Sequence, residues 1–116
     1  MIKRYTFGSP FVTDSVVLPL ATEKNPALPR GQGHFFLFND TEAFCWNYEM
    51  DKGTRVYGLG ENLHGINKRG HIYQSFCSDD PNHTEDKKSL YAAHNFLVIW
   101  GKKECFGLFF DYPGVM

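Results

Sequence analysis

The strongest constraint on this chain is an alternation of period two. In Phe44-Cys45-Trp46-Asn47-Tyr48-Glu49-Met50 the large apolar side chains take every second position. That spacing suits a strand with one face on a core and the other toward water, because successive side chains of an extended backbone point to opposite faces. Asp51-Lys52-Gly53 then supplies turn chemistry: Gly accepts positive φ, and Asp hydrogen-bonds its own neighbourhood. Residues 95–100 and 105–111 repeat the pattern, and the short loop Gly101-Lys102-Lys103-Glu104 between them reads as a hairpin connection. The run Phe96-Leu97-Val98-Ile99-Trp100 has no polar face, which predicts a strand covered on both sides.

Further strands are expected over 2–7, 15–18, 34–38, 56–59 and 71–76. No window carries apolar residues at helical spacing over three turns. Residues 20–32, with Pro26 and Pro29, read as a loop. Several short strands separated by turn signals imply an all-β fold, an antiparallel sandwich or barrel. The length of 116 residues suits one domain spanning 1–116. The density of aromatics, 16% with 11 Phe, is enough to build a core without cross-links. The apolar hairpin runs almost to Met116 with no polar tail after it. A truncated sandwich edge inside a longer protein is therefore expected, together with self-association through that edge.

Charge narrows the partners. Twelve basic and 13 acidic side chains give a net charge of -1, which offers no electrostatic reason for a nucleic acid or an anionic membrane as partner. The longest apolar run is far short of the ~20 residues that span a bilayer, and no signal-peptide pattern follows the first residues. Cys45, Cys77 and Cys105 are an odd, widely spaced set that fits free thiols in a reducing cytoplasm. Asn39-Asp40-Thr41 and Asn82-His83-Thr84 match the glycosylation sequon, without a secretory signal to make use of it.

The segment from Cys77 to Lys88 is the richest in chemistry, with four of the 13 acids. Loops held by a rigid sheet concentrate binding residues. Carboxylates suit sugar hydroxyls, since each accepts two or more charge-assisted hydrogen bonds. The alternative is a solvated connection in which Ser78 and Asp79 only shape a turn. Asp79, Asp80, His83, Glu85 and Asp86 include metal-ligating types, but the order does not fit an EF-hand, and the five histidines show neither HxH nor HExxH spacing; no metal and no cofactor are expected. Tyr57-Gly58-Leu59-Gly60-Glu61-Asn62-Leu63 fails as a dinucleotide loop because the third glycine is replaced by Leu63. It reads instead as a tight bend with close backbone approach, in which a buried Glu61 would hold the neighbouring loop. No serine, cysteine or threonine lies in a nucleophile elbow. Asp79 and Asp80 are adjacent and would point opposite ways on an extended backbone, which makes them a poor acid/base pair for glycoside hydrolysis.

Taken together, Val56-Tyr57-Gly58-Leu59-Gly60-Glu61, Asn67-Lys68-Arg69-Gly70, Ser78-Asp79-Asp80-Pro81, Ser89-Leu90-Tyr91 and Phe106-Gly107-Leu108-Phe109-Phe110-Asp111 resemble glycoside hydrolase family 31. The order and spacing are similar to the N-terminal domain of its bacterial α-glucosidases, over roughly residues 56–113. The resemblance implies a galactose-mutarotase-like β-sandwich that precedes a (β/α)₈ barrel. It also implies that the aspartate nucleophile and general acid lie in the barrel, so no catalytic residue is expected here. A loop of this domain would reach the barrel mouth and help form the oligosaccharide site. The aspartate on that loop falls on Asp79, with Asp80 competing if the alignment slips by one, and with His83, Glu85 and Asp86 as weaker candidates. The competing functional class is a stand-alone carbohydrate-binding or interaction module. Such modules expose aromatic platforms, whereas Trp46 and Trp100 sit in apolar strands and are expected to be buried.

Overall fold

A computed structural model describes residues 2–7, 9, 22–24, 32–112 and 114–116. Among these residues every regular element is a strand: β1 Ile2–Arg4, β2 Thr22–Lys24, β3 Gln32–Phe38, β4 Thr41–Asn47, β5 Arg55–Gly60, β6 Ala93–Trp100 and β7 Cys105–Phe109. The chain is all-β, as its alternation requires. It forms two compact units, Met1–Glu49 and Met50–Met116.

In the first unit, β3 and β4 form an antiparallel hairpin in register from Gln32 opposite Asn47 to Phe38 opposite Thr41. The turn is Asn39-Asp40, with φ of 48° and 61°. Two central residues in the left-handed region match the right-handed twist of the flanking strands, and Asn and Asp are the non-glycine residues that tolerate it best. Phe44 stacks on Phe7 at 4.3 Å between centroids and meets Phe35 at 5.2 Å. A Cβ on Gly33 would lie 2.7 Å from the Phe44 ring, so the ring covers the glycine. Relative to expectation, β3 begins two residues earlier, while β4 starts and ends three residues earlier. Three-residue β1 and β2 pair in parallel, Ile2 opposite Thr22. β2 falls inside the segment expected to be loop. A parallel pair needs a long connection, which residues 5–21 provide. The strand expected over 15–18 lies outside the described residues.

In the second unit, β5, β6 and β7 form an antiparallel sheet in that order. The β6–β7 hairpin closes through Gly101 N–H donating to the Glu104 carbonyl at 2.9 Å. The register pairs Leu97 with Leu108 and Ile99 with Phe106 on one face, and Phe96 with Phe109 and Trp100 with Cys105 on the other. Ile99, 4% exposed, and Leu90 are the buried apolar residues among those described. The opposite face is open: Trp100 is 61% exposed and Phe109 67%. The expectation of a strand covered on both sides is therefore corrected, and so is the expectation that Trp100 is buried. An apolar run fixes that a strand forms; whether its second face meets cover depends on what lies against it.

The expected strand over 71–76 is also corrected. Its side chains still alternate, with Tyr73 and Ser75 inward and Ile72 and Phe76 outward. Its amides, however, go to scattered acceptors: Gln74 N–H to Lys88 O and Ser75 N–H to Met116 O. An extended segment without one continuous partner makes no ladder.

Candidate functional site

β5 ends in Gly58, Leu59 and Gly60, with φ of 118°, 70° and 86°. The register against β6 shifts between the two glycines, from Gly58 opposite Leu97 to Gly60 opposite Ala93, an irregularity of the β-bulge kind. A Cβ on Gly60 would lie 2.6 Å from the Ala92 carbonyl, so the close approach requires glycine. The tight bend is as expected, but Glu61 is exposed rather than buried, and its backbone N–H is what binds, to Ala92 O at 2.8 Å.

From this bend the chain runs through residues 61–92 before re-entering the sheet as β6, and side chains donating to backbone carbonyls hold it. Arg69 Nη1 lies 2.6, 3.0 and 2.9 Å from the carbonyl oxygens of Asp51, Lys52 and Thr54. Asn67 Oδ1 accepts from the amides of Val56 and Arg69, and Lys68 N–H donates to Val56 O at 2.7 Å. Lys68 is 7% exposed. Its Nζ donates to the carbonyls of Asn62, Leu63 and Gly65 at 3.3, 3.3 and 2.8 Å and lies 5.3 Å from the centre of the Tyr73 ring. Burial holds this ammonium below the usual lysine pKa and raises that of Tyr73.

The acidic loop, residues 77–88, is framed at both ends. Ser78 N–H donates to Leu90 O at 2.9 Å, and Lys87 N–H to Thr84 O at 3.0 Å. Asp80 accepts from the Asn82 amide at 2.9 Å and from the Lys87 ammonium. Lys87 is the leading cause that holds the Asp80 carboxyl below its ordinary pKa, and the same contact raises that of Lys87. The Thr84 side-chain hydrogen bond lowers Asp86. His83 is exposed, its ring edge-on to Tyr91 at 5.3 Å. Glu85 meets His64, whose Nε2 lies 2.8 Å from the Glu85 carbonyl and 3.2 Å from its carboxylate. Asp79 stands apart: it is exposed and makes no hydrogen bond or ion pair among the described residues.

Of the three residues singled out from the sequence, Asp80 is thus engaged inside the loop, His83 rests on Tyr91, and Asp79 faces solvent between two tethered neighbours. An exposed and unengaged carboxylate such as that of Asp79 is chemically able to accept hydrogen bonds from hydroxyl groups. In the sequence Lys68 and Arg69 stand out only as part of a motif, and His64 does not stand out. The available signal was a basic pair following a glycine-rich bend, where exposed carbonyls need donors. Among the described residues no group of three or more His, Cys, Asp or Glu side chains is arranged to hold a metal ion, and no helix is long and apolar enough to cross a membrane.

A family model described as the glycosyl hydrolase 31 N-terminal galactose mutarotase-like domain matches residues 9–115. A comparison with curated proteins returns no match.

Proposed function

The chain belongs to the glycosyl hydrolase 31 N-terminal galactose mutarotase-like domains, and from that premise we propose that it serves a retaining α-glucosidase by supplying the 77–88 loop to the oligosaccharide site. In this reading the domain is non-catalytic and packs on a barrel that carries the two catalytic carboxyls. The enzyme acts on terminal α-linked glucose in the cytoplasm, where Cys45, Cys77 and Cys105 remain free thiols. The observation that carries the reading is the free carboxylate of Asp79 between Ser78, bonded to Leu90, and Asp80, bonded to Lys87. A charged acceptor with anchored neighbours has little freedom to lose when it meets a hydroxyl. Asp79→Ala in the full-length enzyme is expected to raise KM or lower kcat/KM on disaccharides while the fold survives. Unchanged kinetics would remove Asp79 from the site.

The exposed Trp100, edge-on to Tyr57 at 6.1 Å, favours a second reading, a carbohydrate-binding module that stacks a sugar on the open face of the sheet. Calorimetry of the 116-residue chain with maltose separates the two. Binding near micromolar Kd, lost in Trp100→Ala, supports the module, and absence of binding supports the loop reading. The same open face is the proposed route of self-association.

A further inference from the structure

We propose that Lys68 positions the acidic loop: its ammonium fills a cage of three backbone carbonyls, and the turn so held carries His64 to Glu85 of the 77–88 loop. The inference rests on the reading of Asp79 for its functional consequence, but the latch itself stands on geometry alone.

An ammonium has three N–H donors, and Lys68 Nζ faces three carbonyls, those of Asn62, Leu63 and Gly65. No donor is left for a ligand, so this lysine acts by position rather than by contact with substrate. The three carbonyls bracket His64, which sits at φ 64°, and Gly65, at φ 72°. Of the two, only His64 is strained, since glycine takes positive φ readily, and a non-glycine residue there persists where the surroundings over-determine it. Asn62 Nδ2, donating to the Leu59 carbonyl at 2.9 Å, ties the start of the same turn to the bulge.

His64 is the outward arm of this turn. Its ring is stacked on His71 at 4.1 Å with 7° between planes and crossed by Tyr73, which fixes its direction. Donation from Nε2 to the Glu85 carbonyl sets the contact with the loop, while the buried Nδ1 has no partner among the described residues. Beyond Glu85, Lys87 returns to Asp80, the neighbour of Asp79. The connection from Lys68 to Asp79 is thus one unbroken series of hydrogen bonds and backbone steps.

The test uses the atoms that a truncation removes. In Lys68→Ala, n-propylammonium can replace the missing methylenes and ammonium, whereas tetramethylammonium has the charge and no N–H donor. Hydrogen exchange on the 116-residue chain is expected to accelerate about tenfold or more over both 61–66 and 82–88, since the second stretch depends on the first. Propylammonium should restore protection saturably, and tetramethylammonium should not. Unchanged exchange over 82–88, or equal rescue by both cations, overturns the latch. If Lys68→Ala does not fold, His64→Phe keeps the cage and severs only the arm. It should accelerate 82–88 and spare 61–66, and no acceleration overturns the proposal. In the full-length enzyme, Lys68→Ala should lower kcat/KM, with recovery in propylammonium. Exchange that responds while kcat/KM does not would uphold the latch and sink the role given to Asp79.

Discussion

The β3–β4 hairpin and the β5–β6–β7 sheet are built from the same material and held by different means. Both are antiparallel and aromatic, and each lays a phenylalanine ring over a cross-strand glycine, Phe44 over Gly33 in one and Phe96 over Gly107 in the other. The hairpin is closed locally by two residues, Asn39 and Asp40. The sheet joins β5 to β6 through residues 61–92, which Asn67 and Arg69 tie to main-chain groups of Val56 and Asp51, while Lys68 gathers the nearby carbonyls of Asn62, Leu63 and Gly65. A two-residue turn makes its strands with little other help. A connection this long has no ladder of its own and is held by side-chain donors matched to carbonyls that no ladder uses.

The largest effect is expected at Lys68. Lys68→Met keeps most of the volume and orphans three carbonyls, and it should destabilise the chain by about 3 kcal/mol in urea titration. An effect as small as that of a surface lysine would mean that the cage does not hold the connection. Gly60→Ala comes next. With φ at 86° and the Ala92 carbonyl in the way, a loss of roughly 2 kcal/mol is expected in the same titration. Asp40→Gly runs in the opposite direction. Asn-Gly suits a turn with two positive φ values better than Asn-Asp, so the hairpin should gain roughly 0.5 kcal/mol, read as a rise in Tm. The smallest effect is in pH. The folded pKa of Asp80 is depressed, so the contribution of its pair with Lys87 is complete above the unfolded carboxylate value of ~3.9 and is lost as pH falls through the lower folded value. Acid titration of Asp80→Asn should lack that component of the wild-type profile.

The fold was legible wherever a local rule decides it. Alternation located β3, β4, β6 and β7 to within three residues at each end, and the glycine pair of 58 and 60 announced the bend. What period two could not convey was cover and partnership. Residues 96–100 read as doubly buried, yet Trp100 is open, because apolarity records preference and not what lies against a face. Residues 71–76 alternate as a strand does but find acceptors in different segments. β2 lies in a stretch that prolines had marked as loop. For the candidate site, the acidic loop was visible as composition. The difference between adjacent aspartates was not, since it depends on Lys87 seven residues away reaching Asp80. Glu61, expected to hold the loop from a buried position, is exposed, and the role falls to Lys68 and His64.

One paired measurement separates these neighbours: kcat/KM of the full-length enzyme with Asp79→Asn and, separately, with Asp80→Asn. Loss of a charge-assisted hydrogen bond to substrate predicts a fall of about tenfold or more for Asp79→Asn with Tm unchanged. Asp80→Asn should lower Tm and leave kcat/KM within about twofold at a temperature where the enzyme is folded. Equal kinetics for Asp79→Asn and wild type, or a larger loss from Asp80→Asn, would remove Asp79 from the oligosaccharide site.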